Sequence, residues 1–150
     1  MAGSSSRLKK ECGAVYILII LLMPVFLMIT GMVIDIGRAF VIKEELNKAC
    51  MITAEEASKS IDIDIAEEYG SNTLSDNYNE IISDFFYHNF PERDNCRINY
   101  LNHSISGGTD NPRYIEVSCE AEVQCYFLRL VSIDSIKVHS MANGRLRRIK

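Results

Sequence analysis

The stretch Gly13–Ile34, GAVYILIILLMPVFLMITGMVI, is the part of the chain from which the rest of the fold follows. It holds 22 residues and no charged side chain. As a helix it would be ~33 Å long, which is enough to cross the ~30 Å hydrocarbon core of a bilayer. The apolar core of a secretory signal is usually only ~7–15 residues long and precedes a small-x-small cleavage site. Because the chain continues instead as DIGR at 35–38, we predict a retained transmembrane helix over 13–35.

The charges on either side of this stretch predict its orientation. Residues 1–12 form a short leader with Arg7, Lys9 and Lys10 against one acidic residue, Glu11, whereas the charges after the stretch are mixed in sign. Lys and Arg are enriched on the cytoplasmic side of membrane helices. We therefore predict a single-pass protein with a cytoplasmic N-terminus and an extracytoplasmic C-terminal domain.

Two features of the span predict local structure. Pro24 removes one backbone hydrogen bond and should kink the helix, with an incidental kink and a packing role as alternatives. Asp35 and Arg38 lie three residues apart where the membrane would end, which predicts an ion pair at the headgroup level. An ordinary polar residue at the interface is the alternative interpretation of Asp35.

No helix-breaking residue follows Arg38, and apolar residues continue to recur at steps of three and four. This spacing is typical of one apolar helix face. We therefore predict that the first helix continues as an amphipathic extension over 36–60. The face consists of Ala39, Ile42, Leu46, Ala49, Thr53 and Ala57.

The sequence predicts that residues 61–150 form a small α+β head. A second helix should start at Thr73 or Ser75 and end near Asn89, before Pro91. The alternating segment IDIDI at 61–65 fits either a short strand or a frayed helix. The predicted core face of the second helix is Leu74, Tyr78, Ile81, Ile82, Phe85 and Phe86.

From Cys96 onward the apolar residues alternate with polar ones, which predicts an antiparallel sheet of about three strands with one buried face. An apolar turn over residues 127–134 separates the last two strands. The predicted inward residues are Cys96, Ile98 and Tyr100 in the first strand, Ile115, Val117, Cys119, Ala121, Val123 and Cys125 in the second, and Ile136, Val138, Ser140, Ala142, Gly144 and Leu146 in the third.

Four cysteines, Cys50, Cys96, Cys119 and Cys125, would lie outside the cytoplasm, where disulfides persist. Cys119 and Cys125 share one face of one strand about 20 Å apart, too far to bond each other. The possible disulfide is therefore Cys96 with Cys119 or with Cys125. The alternative is that the cysteines are small buried apolar residues.

No motif in the sequence indicates catalysis. It contains no Cys/His spacing typical of zinc sites, no phosphate-binding loop, no GxSxG elbow and no HExxH. The net charge of −4 is spread along the chain without a basic stripe, which argues against nucleic acid as a partner. We expect no catalytic residues, no cofactor and no metal, and we expect the protein not to be an enzyme.

Four segments together resemble the TadE/TadG-like family, the pseudopilins and related anchored proteins of the Tad (tight-adherence, Flp-type) pilus and secretion machinery. They are CGAV at 12–15, LMPVFL at 22–27, IDIGRAF at 34–40 and LNKAC at 46–50, within a match over about residues 12–57. The resemblance implies a structural protein of the bacterial inner membrane that acts in pilus assembly, secretion or adhesion. Its implied partners are the membrane, other pilin-like subunits and the pilus assembly platform.

The resemblance also implies a processing site. Gly13 would precede the cut made by a prepilin peptidase, and Ala14 would be the mature N-terminus. Processed members usually carry Glu five residues after that glycine, where this chain has Leu18, and unprocessed TadG-like members lack that Glu too. The expected function is a minor pilin-like (pseudopilin) component acting in initiation, capping or anchoring. The alternative is a signal-anchored extracytoplasmic binding domain unrelated to filaments.

Overall fold

The structure is a computed structural model that describes residues 5–60, 73–107 and 113–146. It confirms an α+β protein with one long N-terminal helix, a second helix and a three-stranded antiparallel sheet. A short 3-10 helix precedes the last strand. In chain order, the elements are α1 (Ser5–Ala57), α2 (Tyr78–Asn89), β1 (Cys96–Ser106), β2 (Tyr114–Gln124), the 3-10 helix (Leu128–Val131) and β3 (Ser135–Arg145).

Helix α1 runs without a break for 53 residues, through Pro24 and past Arg38. The predicted continuation of the first helix past Arg38 is therefore confirmed, although the helix ends at Ala57 and not at residue 60. Among the described residues, α1 is the one helix long and apolar enough to cross a membrane. A signal sequence near the N-terminus would satisfy the same test of length and composition.

The chain divides into two compact units. The helix–loop unit consists of the chain up to Gly37 together with Cys125–Asp134. The sheet unit consists of Arg38–Gln124 together with Ser135–Lys150. Helix α1 thus contributes to both units, its apolar half to the first and its amphipathic half to the second.

The sheet unit is built on a meander in the order β1-β2-β3, with each neighbouring pair antiparallel. Alternate residues of a strand share one face, so β2 buries the five predicted residues from Ile115 to Val123. One continuous core joins this sheet face to the two helices. Its helical members are Ala39, Ile42, Leu46, Ala49, Cys50, Ala54 and Ala57 from α1, and Ile82 and Phe86 from α2.

Strand β1 differs from the predicted alternation. Ile98 pairs with Ala121 and Tyr100 with the next residue of β2, Glu120, so that Asn99 is an extra residue in a bulge. A bulge moves every later side chain to the opposite face. Tyr100, predicted to face the core, is therefore exposed, and Leu101 packs against the core in its place.

Helix α2 begins at Tyr78, later than the predicted start at Thr73 or Ser75. The backbone N–H of Ser75 donates to the carbonyl oxygen of Ser60 at 3.1 Å instead of starting a helix. Phe85, predicted to lie in the core, is exposed. It lies about 80° around the helix from the line midway between the buried Ile82 and Phe86. The alternating segment 61–65 lies outside the described residues.

Candidate functional site

The most distinctive polar arrangement of the helix–loop unit is centred on Asp35. Its carboxylate is only 2% exposed and accepts hydrogen bonds from three consecutive backbone N–H groups. The Tyr126 N–H donates to both carboxylate oxygens at 3.1 Å. The N–H groups of Phe127 and Leu128 donate to Oδ2 at 2.7 and 2.8 Å. Asp35 therefore binds backbone that is more than 90 residues away in sequence.

These three donors lie at the start of the 3-10 helix Leu128–Val131. The first N–H groups of a helix have no acceptor within it, and a carboxylate is a strong acceptor for them. No side chain next to the 3-10 helix in sequence caps it. Asp35 acts as its N-terminal cap, supplied from α1. Each hydrogen bond to a charged group contributes about 1.5–3 kcal/mol, so the hydrogen bonds to Asp35 attach the loop strongly to α1.

A second contact lies one turn before Asp35 on α1. Gly31 is buried, and a Cβ atom added to it would lie 2.5 Å from Cγ and 2.6 Å from Cβ of Phe127. Real Cβ atoms do not approach other carbons so closely, because van der Waals contact begins near ~3.5 Å. The Phe127 side chain therefore packs directly on the helix backbone at Gly31, and any larger residue there would displace it.

Residues 125–134, which we call the apolar loop, are closed by their own hydrogen bonds. The N–H of Cys125 donates to the carbonyl of Asp134 at 2.9 Å, and the N–H of Ile133 donates to that of Leu128 at 3.1 Å. Ser132 adopts the left-handed conformation with φ of 65° and ends the 3-10 helix. The loop is thus a compact turn with a defined tip.

The tip of this loop is apolar and faces outward. We define the apolar tip as Leu130, Val131 and Ile133. All three side chains are exposed, and Leu130 is 75% exposed. Tyr126 and Phe127 at the base of the loop are also exposed. The sequence predicted this apolar turn, but it gave no sign that Asp35 and Gly31 hold the turn against α1.

The other predicted site residues of α1 lie in continuous helix. Gly13 and Ala14 are both within helical backbone, as is Pro24. Processing at Gly13 and a kink at Pro24 stay predictions. Asp35 and Arg38 fall on opposite sides of the division between the two units, and their ion pair also stays a prediction. What the structure adds for Asp35 is the set of three backbone donors.

Four cysteines, Cys50, Cys96, Cys119 and Cys125, are buried. The strand register places Cys96 opposite Val123, four residues from Cys119 in β2. This offset separates the two Cα atoms by about 13 Å, beyond the ~7 Å that a disulfide allows. The register therefore argues against a disulfide between Cys96 and Cys119, whereas pairing of Cys96 with Cys125 stays a prediction.

Burial keeps the thiols of the sheet unit protonated. It raises the pKa of Cys119 to about 12. It raises the pKa of Cys50 to about 11, although a hydrogen bond with Ser140 works in the opposite direction. Desolvation also raises the pKa of Cys96. Since the thiolate is the nucleophile and the metal ligand, these cysteines are suited to packing rather than to chemistry.

We expect Cys50 in the folded chain to alkylate at pH 8 about 100-fold more slowly than in the urea-unfolded chain, because its pKa is raised from 9.0 to about 11. The raised pKa also makes stability pH-dependent. Its stabilisation is complete below the unfolded pKa of 9.0 and is lost as the pH rises through about 11. Mass spectrometry of alkylated peptides measures the first effect, and urea titrations from pH 8 to 11 measure the second.

The control for this prediction is the double variant Cys50→Ala, Cys119→Ala in the full chain. It should lose less stability between pH 9 and 11 than the parent chain, because the two groups that resist ionisation are absent. Equal alkylation rates for folded and unfolded chain would contradict the burial of these thiols.

The described part of the chain contains no group of three or more His, Cys, Asp or Glu side chains placed to hold a metal ion. The structure instead shows that the buried carboxylate of Asp35 and the backbone of α1 at Gly31 contact the apolar loop and hold it against the helix, with the apolar tip exposed. No protein-family model, curated protein or solved structure matches this chain.

Proposed function

We propose that the protein is a membrane-anchored minor pilin-like (pseudopilin) component of a Tad/Flp-type pilus assembly or secretion system. In this role it acts structurally in initiation, capping or anchoring. The observation that carries the proposal is the continuity of α1, in which one helix is both the apolar rod and the scaffold of the sheet unit. A tether to an independent binding domain has no need of such continuity.

The exposed surface of the apolar half supports the proposal. Large apolar side chains are exposed along almost all of Val15–Ile34. A helix that is apolar on all sides needs lipid or other apolar helices around it. The amphipathic half instead packs its apolar face within the sheet unit. Together these properties suit a subunit whose rod packs among similar rods in the membrane while its small domain stays outside.

A photo-crosslinking amino acid at Ile20, which is exposed within the apolar half, tests the proposed packing. In cells that assemble the pilus, we expect it to form adducts with other membrane helices of the assembly system, because these helices surround the rod. The same amino acid at Met141, exposed on β3, is the matched control outside the membrane. Adducts with lipid alone at position 20, together with normal pilus numbers after deletion of the gene, would favour the signal-anchored binding domain.

The intact mass of the chain recovered from membranes separates two versions of the proposal. A chain that starts at Ala14 would be the product of a prepilin peptidase that accepts Leu18, and this result would indicate a processed pilin-like subunit. A chain that keeps its leader would indicate a TadG-like anchored assembly protein. A Gly13→Leu variant should keep the leader in either case.

A further inference from the structure

We propose that the apolar tip of the loop, formed by Leu130, Val131 and Ile133, inserts into the lipid leaflet around the C-terminal end of the apolar stretch of α1. The protein would then hold the bilayer at two places, by the helix and by the loop. This inference rests on the proposed function only in requiring that residues 13–35 span a membrane.

The depth of the loop follows from its contacts with α1. Phe127 packs on Gly31, and Gly31 lies inside the uncharged stretch that ends at Ile34. Four residues of helix separate Gly31 from Asp35, which corresponds to about 6 Å along the axis. If the stretch spans a membrane, the base of the loop lies at the edge of the hydrocarbon core and not in bulk water.

The backbone of the loop meets the main requirement for a non-helical segment in lipid. A backbone N–H without an acceptor is costly in the hydrocarbon region. Most N–H groups of the loop have acceptors within the helix–loop unit: Asp35 accepts three, and carbonyl oxygens of the loop accept the others. The donors with these acceptors are Cys125, Tyr126, Phe127, Leu128, Leu130, Ser132 and Ile133.

The side chains of the loop suit a leaflet better than they suit water. The apolar tip exposes three neighbouring aliphatic side chains, and Tyr126 at the base is exposed too. Tyrosine is enriched at the membrane–water interface. The one basic residue, Arg129, lies 3.4 Å from Asp134, and a long Arg side chain extends its charge toward the headgroups. Because Gly31 lies within the stretch proposed to span the membrane, lipid is the molecule that the proposal already places beside the loop.

Tryptophan fluorescence in the full chain tests the inference, because the sequence contains no tryptophan. The protein carrying Leu130→Trp is reconstituted in phosphatidylcholine nanodiscs, with or without lipids brominated near the carboxyl end of the acyl chains. We expect blue-shifted emission and a loss of intensity in the brominated nanodiscs. Leu130 is exposed at the tip, so the substitution disturbs no core.

Two further variants make the result decisive. Met141→Trp, at an exposed site on β3, should emit as in water and should not be quenched. Leu21→Trp, in the middle of the apolar stretch, should be quenched by lipids brominated deep in the acyl chain. If Leu21→Trp is quenched and Leu130→Trp emits as in water, the loop inference is overturned while anchoring stands. If neither is quenched, anchoring itself fails.

One more outcome identifies a different occupant of the tip. Blue-shifted emission from Leu130→Trp without bromine quenching would mean that protein and not lipid covers the tip. A second copy of this chain or an apolar helix of a partner would then take the place of the leaflet, and the lipid inference would be wrong.

Discussion

Replacement of Asp35 by alanine is expected to detach the apolar loop from α1. The carboxylate is the acceptor for the N–H groups of Tyr126, Phe127 and Leu128. Leaving one buried donor without an acceptor costs about 1–3 kcal/mol, and more where the lost acceptor was charged. Loss of the acceptor for all three N–H groups should therefore weaken loop docking by at least about 3 kcal/mol.

Hydrogen exchange of the full chain in nanodiscs, read by mass spectrometry, measures this effect. The amides of Tyr126–Leu128 should be protected in the parent chain and should exchange rapidly in Asp35→Ala. Trypsin should also cleave faster after Arg129, because the detached loop fits a protease more readily. Asp35→Asn should be intermediate, since its amide oxygen still accepts hydrogen bonds but carries no charge.

The matched control for Asp35→Ala is Asp134→Asn, which alters a carboxylate of the same loop. The Asp134 side chain is exposed and forms a surface ion pair with Arg129 at 3.4 Å. Such pairs contribute about 0–1 kcal/mol, and the backbone carbonyl that accepts from Cys125 is kept. Equal exchange in Asp35→Ala and the parent chain would show that the carboxylate does not hold the loop.

If α1 spans a membrane as proposed, the position of Asp35 at the end of the span links α1 to the loop in a second way. A carboxylate at the end of a membrane span is costly unless it is paired. The three backbone donors satisfy the charge, and the charge in turn satisfies donors that would be costly at the edge of a bilayer. The carboxylate therefore supplies the acceptor that the three N–H groups require at the edge of a bilayer, and the N–H groups supply the donors that the carboxylate requires there.

The sequence predicted the continuous part of this architecture well, because regular elements carry their signal locally. The uncharged stretch and the three- and four-residue spacing from Ala39 to Ala57 predicted one helix, and the alternation from Ile115 to Val123 predicted β2 with its buried face. Each of these patterns repeats several times within one element, so a single exception does not change the result.

The sequence could not predict features that depend on one residue or on distant contacts. A single extra residue, Asn99, reverses the faces of β1, and no local pattern marks the bulge. The partners of Asp35 are more than 90 residues away, so its role as a cap had no local signature. The alternation did place Gly144 on the inner face, but it did not show how close α1 lies to that position.

Gly144→Ala is expected to destabilise the sheet unit. A Cβ atom at Gly144 would overlap the backbone carbonyl of Ala54 in α1 and lie 3.2 Å from the backbone nitrogen of Glu55. Because the obstacle is helix backbone and not the end of a flexible side chain, α1 and β3 must separate to make room. Overpacking of this kind costs about 1–3 kcal/mol.

The buried thiols of the same unit provide the measurement. Cys50 and Cys119 are fully buried, so their alkylation in increasing urea reports the opening of the sheet unit in the full chain. The midpoint should fall for Gly144→Ala. It should stay almost unchanged for the matched control Asn143→Ala, because Asn143, the residue before Gly144, has an exposed side chain. Equal midpoints for both variants would mean that α1 can move away from β3 at little cost, and that the close approach at Gly144 is not what holds the helix to the sheet.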